Sequence, residues 1–410
     1  MQKKILMLSA AVLICAAVIF ASGCVSSSNS GNTSTNTNGI VEIIYAGCGQ
    51  MPQLLSAGDV DACIAWQPFV AILEEGQVGK IISYSQDLPP EGMWTDHTCC
   101  VFGANDKALQ NPELATALTE LMILGNKYIT EHPNESANAA ADWLFGNGDL
   151  TYGGVTVKST AVTAKSIPTI KFSSLVTDPW IQSNLIFVQS QRDLGLVSGT
   201  LKSTTDEQTI AALFDFSPYQ KAISEIESGK LSTPAEVSDT ISIGYLASDH
   251  DSPLFVLLKD WQYFKDNYNC YIKPSKEAVG KIEKGDLYMN GEFVAKLKFV
   301  EGTAGPLLMT LLQQDQIRYA IAGAPPFISA IDKGDSTIGV KILAPIMMDG
   351  SALVASMKSP ATDWASFTKW IKDASASGKN LIIADPQLGS IQDVQLKTAL
   401  ESAGIAYKLK

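Results

Sequence analysis

A run of alternating strand and helix patterns from Ile241 to the last residue, Lys410, is the feature that most constrains the fold of this chain. It begins with the strand pattern ISIGYL and the helix pattern PLFVLLKDWQYFKD, and it ends with a helix pattern over SIQDVQLKTALESAG. Such alternation is typical of an α/β fold with parallel strands. The chain nevertheless ends at AYKLK, before the second sheet of such a fold is complete.

The strands and helices that would complete this second sheet lie at the other end of the chain. Strand patterns occur in VEIIYAG, DVDACIAW and KIISYS, with helix patterns in MPQLLSAG and QPFVAILEEG between them. An extended segment, TCCVFGAN, follows, and then helices over NPELATALTELMILGNKYITEH and ESANAAADWLF. Rotating the order to 236–410 followed by 41–235 gives one uninterrupted α/β protein with two lobes.

The first residues of the chain indicate export. Two lysines precede a 16-residue apolar run, which is short for a membrane span and typical of a secretory signal. The small residues 21–23 then precede Cys24, a pattern that resembles a lipoprotein signal in which Cys24 carries the lipid; an uncleaved signal anchor is the alternative. We expect 1–23 to be the signal, 24–40 a flexible tether and 41–410 the folded unit, held on the extracytoplasmic face of the cell membrane.

Composition excludes some classes of partner. Thirty basic residues against 42 acidic residues give a net charge of -12, which argues against nucleic acid. Only Arg192 and Arg318 are arginines, so a multiply charged anion would find few bidentate donors. The five cysteines outside the signal and Cys24 do not have the spacing of a zinc site, so we predict neither a metal nor a cofactor. Their disulfide state stays open.

In the rotated order, the chain resembles the nitrate, sulfonate and taurine-type solute-binding proteins of ABC importers and their thiamine-pyrimidine-binding relatives. The resemblance is carried by IGYLASDHDSPLFV, YAIAGAPP, DPQLGSIQDVQLKTALESAGI, GDVDACIAWQPFV and DHTCCVFG. It implies a type II periplasmic-binding-protein-like α/β fold, with two lobes and a hinge, in circularly permuted form. Lobe one would be about 105–345, and lobe two about 41–84 plus 357–410.

Two other accounts of this order remain. The chain can carry two incomplete copies that pair with another subunit, or it can be part of a longer tandem protein. Under the permuted account, the chain would cross between the lobes near 98–103 and 349–356, and these segments would form the hinge.

Ligands of open α/β sheets bind outside the carboxyl ends of the strands, so the residues that follow each strand, or lie on a crossing segment, are the candidates for ligand binding. They are Trp66, Gln67, Trp94, His97, Asp249, His250, Gly323, Ala324, Pro325, Gly350, Ser351, Gly389, Ser390 and Gln392.

Several of these candidates have a second interpretation. Gly389 and Ser390 at a helix N-terminus suit an oxyanion or a polar ring edge, although Ser390 can equally be only an N-cap. Trp66 can stack on a planar ligand or fill the core, and Trp94 lies in a loop that is expected to face the cleft. For Gln67, the resembling proteins more often have a glutamate, so their specificity does not transfer here.

Two further candidates depend on the resemblance or on strand geometry. The resemblance favours the cleft for Asp249 and His250, against a helix cap or a solvated loop. His97 lies beside two thiols, Cys99 and Cys100, but neighbouring residues of an extended segment point to opposite faces. We therefore predict buried packing there and no metal site.

The resemblance implies a binding protein without catalysis, which captures a small solute between two lobes and presents it to ABC permease subunits. One alternative is an enzyme that makes the thiamine pyrimidine, since such relatives resemble the chain around His97, Cys99 and Cys100. Another is a surface protein that senses a ligand. Scarce arginine and the tryptophans favour a small solute that is planar or singly charged.

Overall fold

A computed structural model describes residues 39–152, 154–334 and 338–410 of the 410-residue chain, and all of these belong to one compact unit. The expected signal, the expected lipid-carrying residue Cys24 and nearly all of the expected tether lie outside the described residues. Within the described ranges, no helix has both the length and the apolar character that crossing a membrane requires.

The described residues form 17 strands and 14 α-helices. The strands are β1 (Ile40–Tyr45), β2 (Ala62–Trp66), β3 (Gly79–Tyr84), β4 (Cys100–Asn105), β5 (Asp149–Tyr152), β6 (Val155–Lys158), β7 (Ile170–Phe172), β8 (Val237–Leu246), β9 (Cys270–Pro274), β10 (Lys284–Met289), β11 (Glu292–Gly302), β12 (Tyr319–Gly323), β13 (Val340–Pro345), β14 (Met347–Asp349), β15 (Ser351–Ser356), β16 (Leu381–Asp385) and β17 (Ala406–Leu409).

The helices are α1 (Met51–Ala57), α2 (Phe69–Glu75), α3 (Pro112–Glu131), α4 (Pro133–Phe145), α5 (Ser159–Ser166), α6 (Asp178–Asp193), α7 (Asp206–Leu213), α8 (Ser217–Ser228), α9 (Ser252–Lys259), α10 (Trp261–Tyr268), α11 (Gly305–Gln313), α12 (Ala324–Asp332), α13 (Trp364–Ala376) and α14 (Ile391–Ser402).

Both ends of the described chain build one six-stranded sheet, in the order β17-β1-β16-β2-β15-β3. The first strand, β1, lies between the two last strands and pairs in parallel with each, with Val41 opposite Leu381 and Ile40 opposite Ala406. β15 is antiparallel to both of its neighbours, β2 and β3. The first strands of the folded unit therefore share a sheet with its last strands, as the strand patterns at the two ends of the sequence indicate.

The middle of the chain builds a seven-stranded sheet, in the order β13-β4-β12-β8-β11-β10-β9. β8 is parallel to β11 and β12, and β4 is antiparallel to its neighbours β12 and β13. Two small pairs, β14 with β7 and β5 with β6, complete the pairing among the described strands. The fold is thus α/β, with several sheets.

The chain passes between the two large sheets in the segments 85–99 and 346–350, and these lie side by side. Cys99 N–H donates to the Met347 carbonyl oxygen (3.1 Å), and Asp349 N–H donates to the His97 carbonyl oxygen (3.2 Å). Thr98 forms an isolated bridge with Met348. Because the segments are joined by their backbones, a movement of one sheet against the other has to bend both together.

One helix pattern of the sequence proves to be two helices. PLFVLLKDWQYFKD divides at Asp260 (φ -108°, ψ 30°) into α9, whose residues 252–258 are all buried, and the more exposed α10. The division turns α10 so that Phe264 packs beside Tyr128 of α3, with ring centroids 5.4 Å apart. Aspartate favours such a break, because it is a poor residue for a helix interior.

A candidate ligand cavity between the sheets

A cavity of about 30 Å³ lies where strand ends and helix starts from both sheets converge. Some of its lining residues lie at or just after the ends of β2, β8 and β12. The others lie at the starts of β4, α11, α12 and α14. The lining residues are Trp66, Cys99, Cys100, Leu246, Ser248, His250, Gly305, Gly323, Pro326, Ser390, Ile391 and Gln392. Three larger cavities of the described residues, of about 140, 290 and 400 Å³, are lined by residues of the seven-stranded sheet and its connections and by none of the six-stranded sheet.

Five of the residues that the sequence indicates as ligand-binding line this cavity: Trp66, His250, Gly323, Ser390 and Gln392. Trp66 ends β2 and Gly323 ends β12, whereas Ser390 and Gln392 lie at the start of α14. The Ser390 hydroxyl accepts a hydrogen bond from Asp393 N–H (3.1 Å), so it does cap this helix. The N-cap interpretation of Ser390 is therefore confirmed, and ligand binding by the same residue stays a prediction.

Three more predicted residues do not line the cavity but form hydrogen bonds at its edge. The Gly350 carbonyl oxygen accepts a hydrogen bond from His250 Nε2 (2.8 Å), and the Ser351 hydroxyl accepts one from Gln392 Nε2 (2.8 Å). Gly389 N–H donates to the Asp393 carboxylate (2.9 Å), at a positive φ of 77° that favours glycine. These contacts fix the orientation of side chains that face the cavity.

The structure places Trp94 and His97 away from the lining. Trp94 is fully buried against Phe187, with ring centroids 4.9 Å apart, and its Nε1–H donates to the Pro89 carbonyl oxygen (3.3 Å). His97 Nε2 lies 2.8 Å from the Ser85 hydroxyl, and its Nδ1 lies 3.0 Å from the Thr98 carbonyl oxygen. The large ring of Trp94 therefore packs in the core, against Phe187 of α6, and does not line the cavity.

Asp249, Gln67, Ala324 and Pro325 lie near the cavity without lining it. The Asp249 carboxylate is buried against the Ser166 hydroxyl, and its burial raises its pKa to about 7. Gln67 is also buried, with its side-chain amide nitrogen donating to Thr169 Oγ1 (2.9 Å). Ala324 N–H donates to the Cys99 carbonyl oxygen (2.9 Å), which ties the start of α12 to the first connecting segment.

The lining contains a cluster that the sequence reasoning missed. Cys99 Sγ and Cys100 Sγ lie 4.0 Å apart, and both lie close to His250 Nδ1, at 3.5 Å and 3.8 Å. The expectation that the two thiols point to opposite faces is wrong for this pair. Strand alternation does not apply, because β4 begins at Cys100 and Cys99 still belongs to the connecting segment. The adjacent thiols at the start of a strand, with a histidine after another strand, were the available signal.

The pKa values of Cys99, Cys100 and His250 depend on one another. Burial opposes ionisation of the Cys99 thiol, but a hydrogen bond from Cys100 and the charge of His250 hold the pKa of Cys99 well below its ordinary value. Burial and the charge of Cys99 have opposite effects on His250, and the net effect raises the pKa of His250. The hydrogen bond to Cys99, together with burial, raises the pKa of the second thiol, Cys100, so the two thiols differ in acidity.

Hydrogen bonds beside the cavity join a residue that follows a strand of one large sheet to residues that follow a strand of the other. The Ser248 hydroxyl, after β8, donates to the Gln67 carbonyl oxygen, after β2 (2.9 Å), and Asp249 N–H donates to the same oxygen (3.3 Å). The space left in the cavity, about 30 Å³, is enough to hold water but little more. A solute as large as a sulfonate or a pyrimidine needs a wider separation of these residues.

One lining side chain has an unused hydrogen-bond donor. Trp66 is 8% exposed, and its Nε1–H is buried without a hydrogen-bond partner. A buried donor left unpaired costs roughly 1–3 kcal/mol, so a ligand acceptor that reached this N–H would relieve part of that cost. The lining includes no lysine or arginine.

Comparison with known proteins identifies the family of this chain. The model of the NMT1-like family matches residues 32–145 and 235–409, well over half of the chain. The chain belongs to the NMT1-like family. This family is part of the superfamily of nitrate-, sulfonate- and taurine-binding solute-binding proteins, and it is a family of binding proteins and not of enzymes.

A curated relative covers a smaller part of the chain. It is the uncharacterized protein MJ1180 of Methanocaldococcus jannaschii, 38% identical over 96 residues, which are 23% of this chain. The chain spans 63% of the length of that relative. No solved structure matches the chain.

Proposed function

We propose that this protein is a lipid-anchored, extracytoplasmic solute-binding protein that captures one small solute between two lobes and delivers it to the permease of an ABC importer. The observation that carries the proposal is the cavity itself, which is lined by strand ends of both large sheets. Two connecting segments, paired through their backbones, join these sheets. Opening at that hinge would admit a solute, and closing would surround it.

The lining favours a solute with little charge. It offers the Trp66 indole N–H, the Ser390 hydroxyl and the Gln392 amide, and it has no lysine or arginine to balance a multiply charged anion. The flat face of Trp66 suits a planar group. A pyrimidine or a singly charged sulfonate fits these groups better than sulfate or phosphate.

The order of the strands supports a circularly permuted, type II two-lobed form of the fold. Ala406 N–H donates to the Gly39 carbonyl oxygen (3.0 Å), so the chain after α14 lies directly beside the start of β1. A junction there would let α14 lead into β1 as consecutive elements of one lobe. The old ends would then have been joined within 229–236, between α8 and β8.

Mass spectrometry of the solute released from freshly purified protein tests the proposed function. A thermal-shift panel of nitrate, taurine, methanesulfonate, bicarbonate and a thiamine pyrimidine then identifies the class of ligand. We expect at least one released or added solute to raise the melting temperature and to contract the particle in small-angle X-ray scattering. A full-length protein that carries no solute and responds to none of the panel overturns the proposal, as does turnover of a bound compound.

A separate experiment tests the anchor. Intact-mass spectrometry of protein extracted from the membrane should show a chain that begins at Cys24 and carries added acyl mass, which Cys24→Ser abolishes. A wild-type chain that retains residues 1–23 and carries no acyl mass contradicts lipidation at this residue and supports an uncleaved signal anchor.

A further inference from the structure

Three ligand atoms of the kind that bind thiophilic metals meet at one edge of the cavity. They are Cys99 Sγ, Cys100 Sγ and His250 Nδ1, and all three lie within 4.8 Å of one another. All three residues are almost completely buried, with exposed fractions of 0%, 3% and 3%. They lie on two separate parts of the chain, so the seven-stranded sheet has to fold before they come together.

The distances among these atoms match those of a metal shell. A zinc ion about 2.3 Å from each sulfur and about 2.0–2.1 Å from the nitrogen, in a tetrahedron, places the sulfurs about 3.8 Å apart and each sulfur about 3.6 Å from the nitrogen. The corresponding distances here are 4.0 Å for the two sulfurs, and 3.5 Å and 3.8 Å from the sulfurs to His250 Nδ1. Shifts of a few tenths of an ångström are enough to enclose the ion.

The other ring nitrogen of His250 is held as a metal ligand requires. Its Nε2 lies 2.8 Å from the Gly350 carbonyl oxygen, which can only accept, so Nε2 carries the proton. That leaves the lone pair of Nδ1 directed at the two sulfurs when the ring is neutral. Histidine ligands of metals typically donate their second N–H to a carbonyl or a carboxylate in this way.

The fourth position of such a shell is open to the cavity. Cys99, Cys100 and His250 line the same space of about 30 Å³ as Trp66, Ser390 and Gln392. A water molecule or one donor atom of a solute fits there. Two cysteines, one histidine and an exchangeable fourth ligand form a donor set that zinc uses where it binds small molecules.

We propose that Cys99, Cys100 and His250 bind one Zn²⁺ ion, with the fourth coordination position facing the cavity. This inference goes beyond the proposed function and does not depend on it, because the ion is bound whether or not a solute is present. Zn²⁺ suits a mixed sulfur and nitrogen set, whereas Mg²⁺ and Ca²⁺ prefer oxygen ligands.

The test uses the full folded protein, reduced and freed of metal by a chelator. Zn²⁺ is added in competition with a chromogenic chelator, and the bound metal is counted by mass spectrometry after gel filtration. We expect one equivalent per chain for the wild type, and at least a 100-fold weaker affinity for a C99A/C100A double variant. Co²⁺ added in place of Zn²⁺ should give the intense near-ultraviolet absorption of a cobalt–thiolate bond in the wild type alone.

Two controls keep the test informative. The C270A variant removes an equally buried thiol from β9, far along the sheet from the cluster, and should still bind one equivalent. The H250Q variant keeps both thiols and should weaken Zn²⁺ binding about tenfold or more. Circular dichroism of each variant verifies folding.

The proposal fails if the reduced wild type binds no stoichiometric Zn²⁺, or if the C99A/C100A variant binds it as tightly as C270A does. It fails also if the wild type gives no cobalt–thiolate absorption. Should C99A/C100A not fold, the C100S variant is measured instead, and the same comparison with C270A applies.

Discussion

Gly350 and His250 approach each other so closely that a methyl group on Gly350 would lie 2.6 Å from His250 Nε2. Gly350 belongs to the second connecting segment, and His250 follows the central strand β8 of the seven-stranded sheet. The contact therefore joins the connection between the sheets to the wall of the cavity.

The first prediction concerns Gly350→Ala. Gly350 has a φ of 80°, and the added methyl group would also lie 3.0 Å from Ile170 Cγ1 and Met347 Cε. Both the backbone strain and the collision destabilise the folded state, by about 2–4 kcal/mol together. Gly378 is the matched control, since it has the same φ of 80° with no atom near an added methyl group. In urea unfolding, G378A should lose only about 1 kcal/mol, and equal losses for the two variants would refute the collision.

The second prediction concerns the space available to a solute. Gly323 lines the cavity, and an added methyl group there would lie 3.0 Å from Ile391 Cδ1, which also lines it. We expect Gly323→Ala to weaken binding of any solute that stabilises the wild type by about tenfold, or about 1.4 kcal/mol. Gly47 has nearly the same backbone angles at the end of β1 and open space around it, so G47A is the control. Thermal-shift titration measures both, and unchanged affinity in G323A would place the solute elsewhere.

The third prediction concerns pH and Glu120 of α3. Burial, together with the neighbouring Glu225 carboxylate of α8, raises the pKa of Glu120 from 4.5 to about 9, although Lys221 opposes the shift. The folded state thus binds more protons than the unfolded state between these two pH values, so the free energy of unfolding falls as pH rises from 4.5 to 9. The slope is at most about 1.4 kcal/mol per pH unit.

The variant Glu120→Gln keeps the shape of the protonated side chain and removes its titration. Urea unfolding from pH 5 to pH 8.5 should therefore show a shallower decline in stability for E120Q than for the wild type. Glu113→Gln alters an exposed carboxylate on the same helix and should leave the wild-type slope unchanged. Identical slopes for E120Q and the wild type would mean that Glu120 is ionised when folded.

The fourth prediction tests the proposed permutation. Joining Ile405 to Gly39 by a short glycine–serine linker, and opening the chain between the exposed residues Ala235 and Glu236, restores the order of the unpermuted fold. The rearranged protein lacks β17 but keeps β1 beside β16. It should be a folded monomer that binds the same solute within about threefold of the original affinity, as permutation at exposed connections allows. Aggregation, or a monomer that has lost binding, would favour assembly with a second subunit.

Strand and helix patterns at the two ends of the sequence predicted most elements of the six-stranded sheet, because buried parallel strands such as β2 and β16 are continuous apolar runs. They did not predict the division of α9 from α10 at Asp260, since a break of one residue hardly changes helical periodicity. Among the residues singled out by their position after a strand, five line the cavity, and their ligand binding stays a prediction: Trp66, His250, Gly323, Ser390 and Gln392.

The same rule did not exclude Trp94 and Gln67 from the cavity lining. Whether a side chain near a strand end faces the cavity or the core depends on the packing around it. Nor did the rule find the cluster of Cys99, Cys100 and His250. The two thiols point to the same side because β4 begins at Cys100 and not at Cys99. A sequence pattern does not locate the start of a strand to one residue, so it could not show whether strand alternation applies to this pair.

The position of β1 between β16 and β17 has a consequence for biosynthesis. The ribosome makes β1 before β16 and β17. Neither hydrogen-bonding edge of β1 therefore has its partner strand until β16 and β17 have been made. The seven-stranded sheet, by contrast, has all its strands before β14 is made. The six-stranded sheet therefore closes only after β16 and β17 have been made, when the seven-stranded sheet already has every strand it needs.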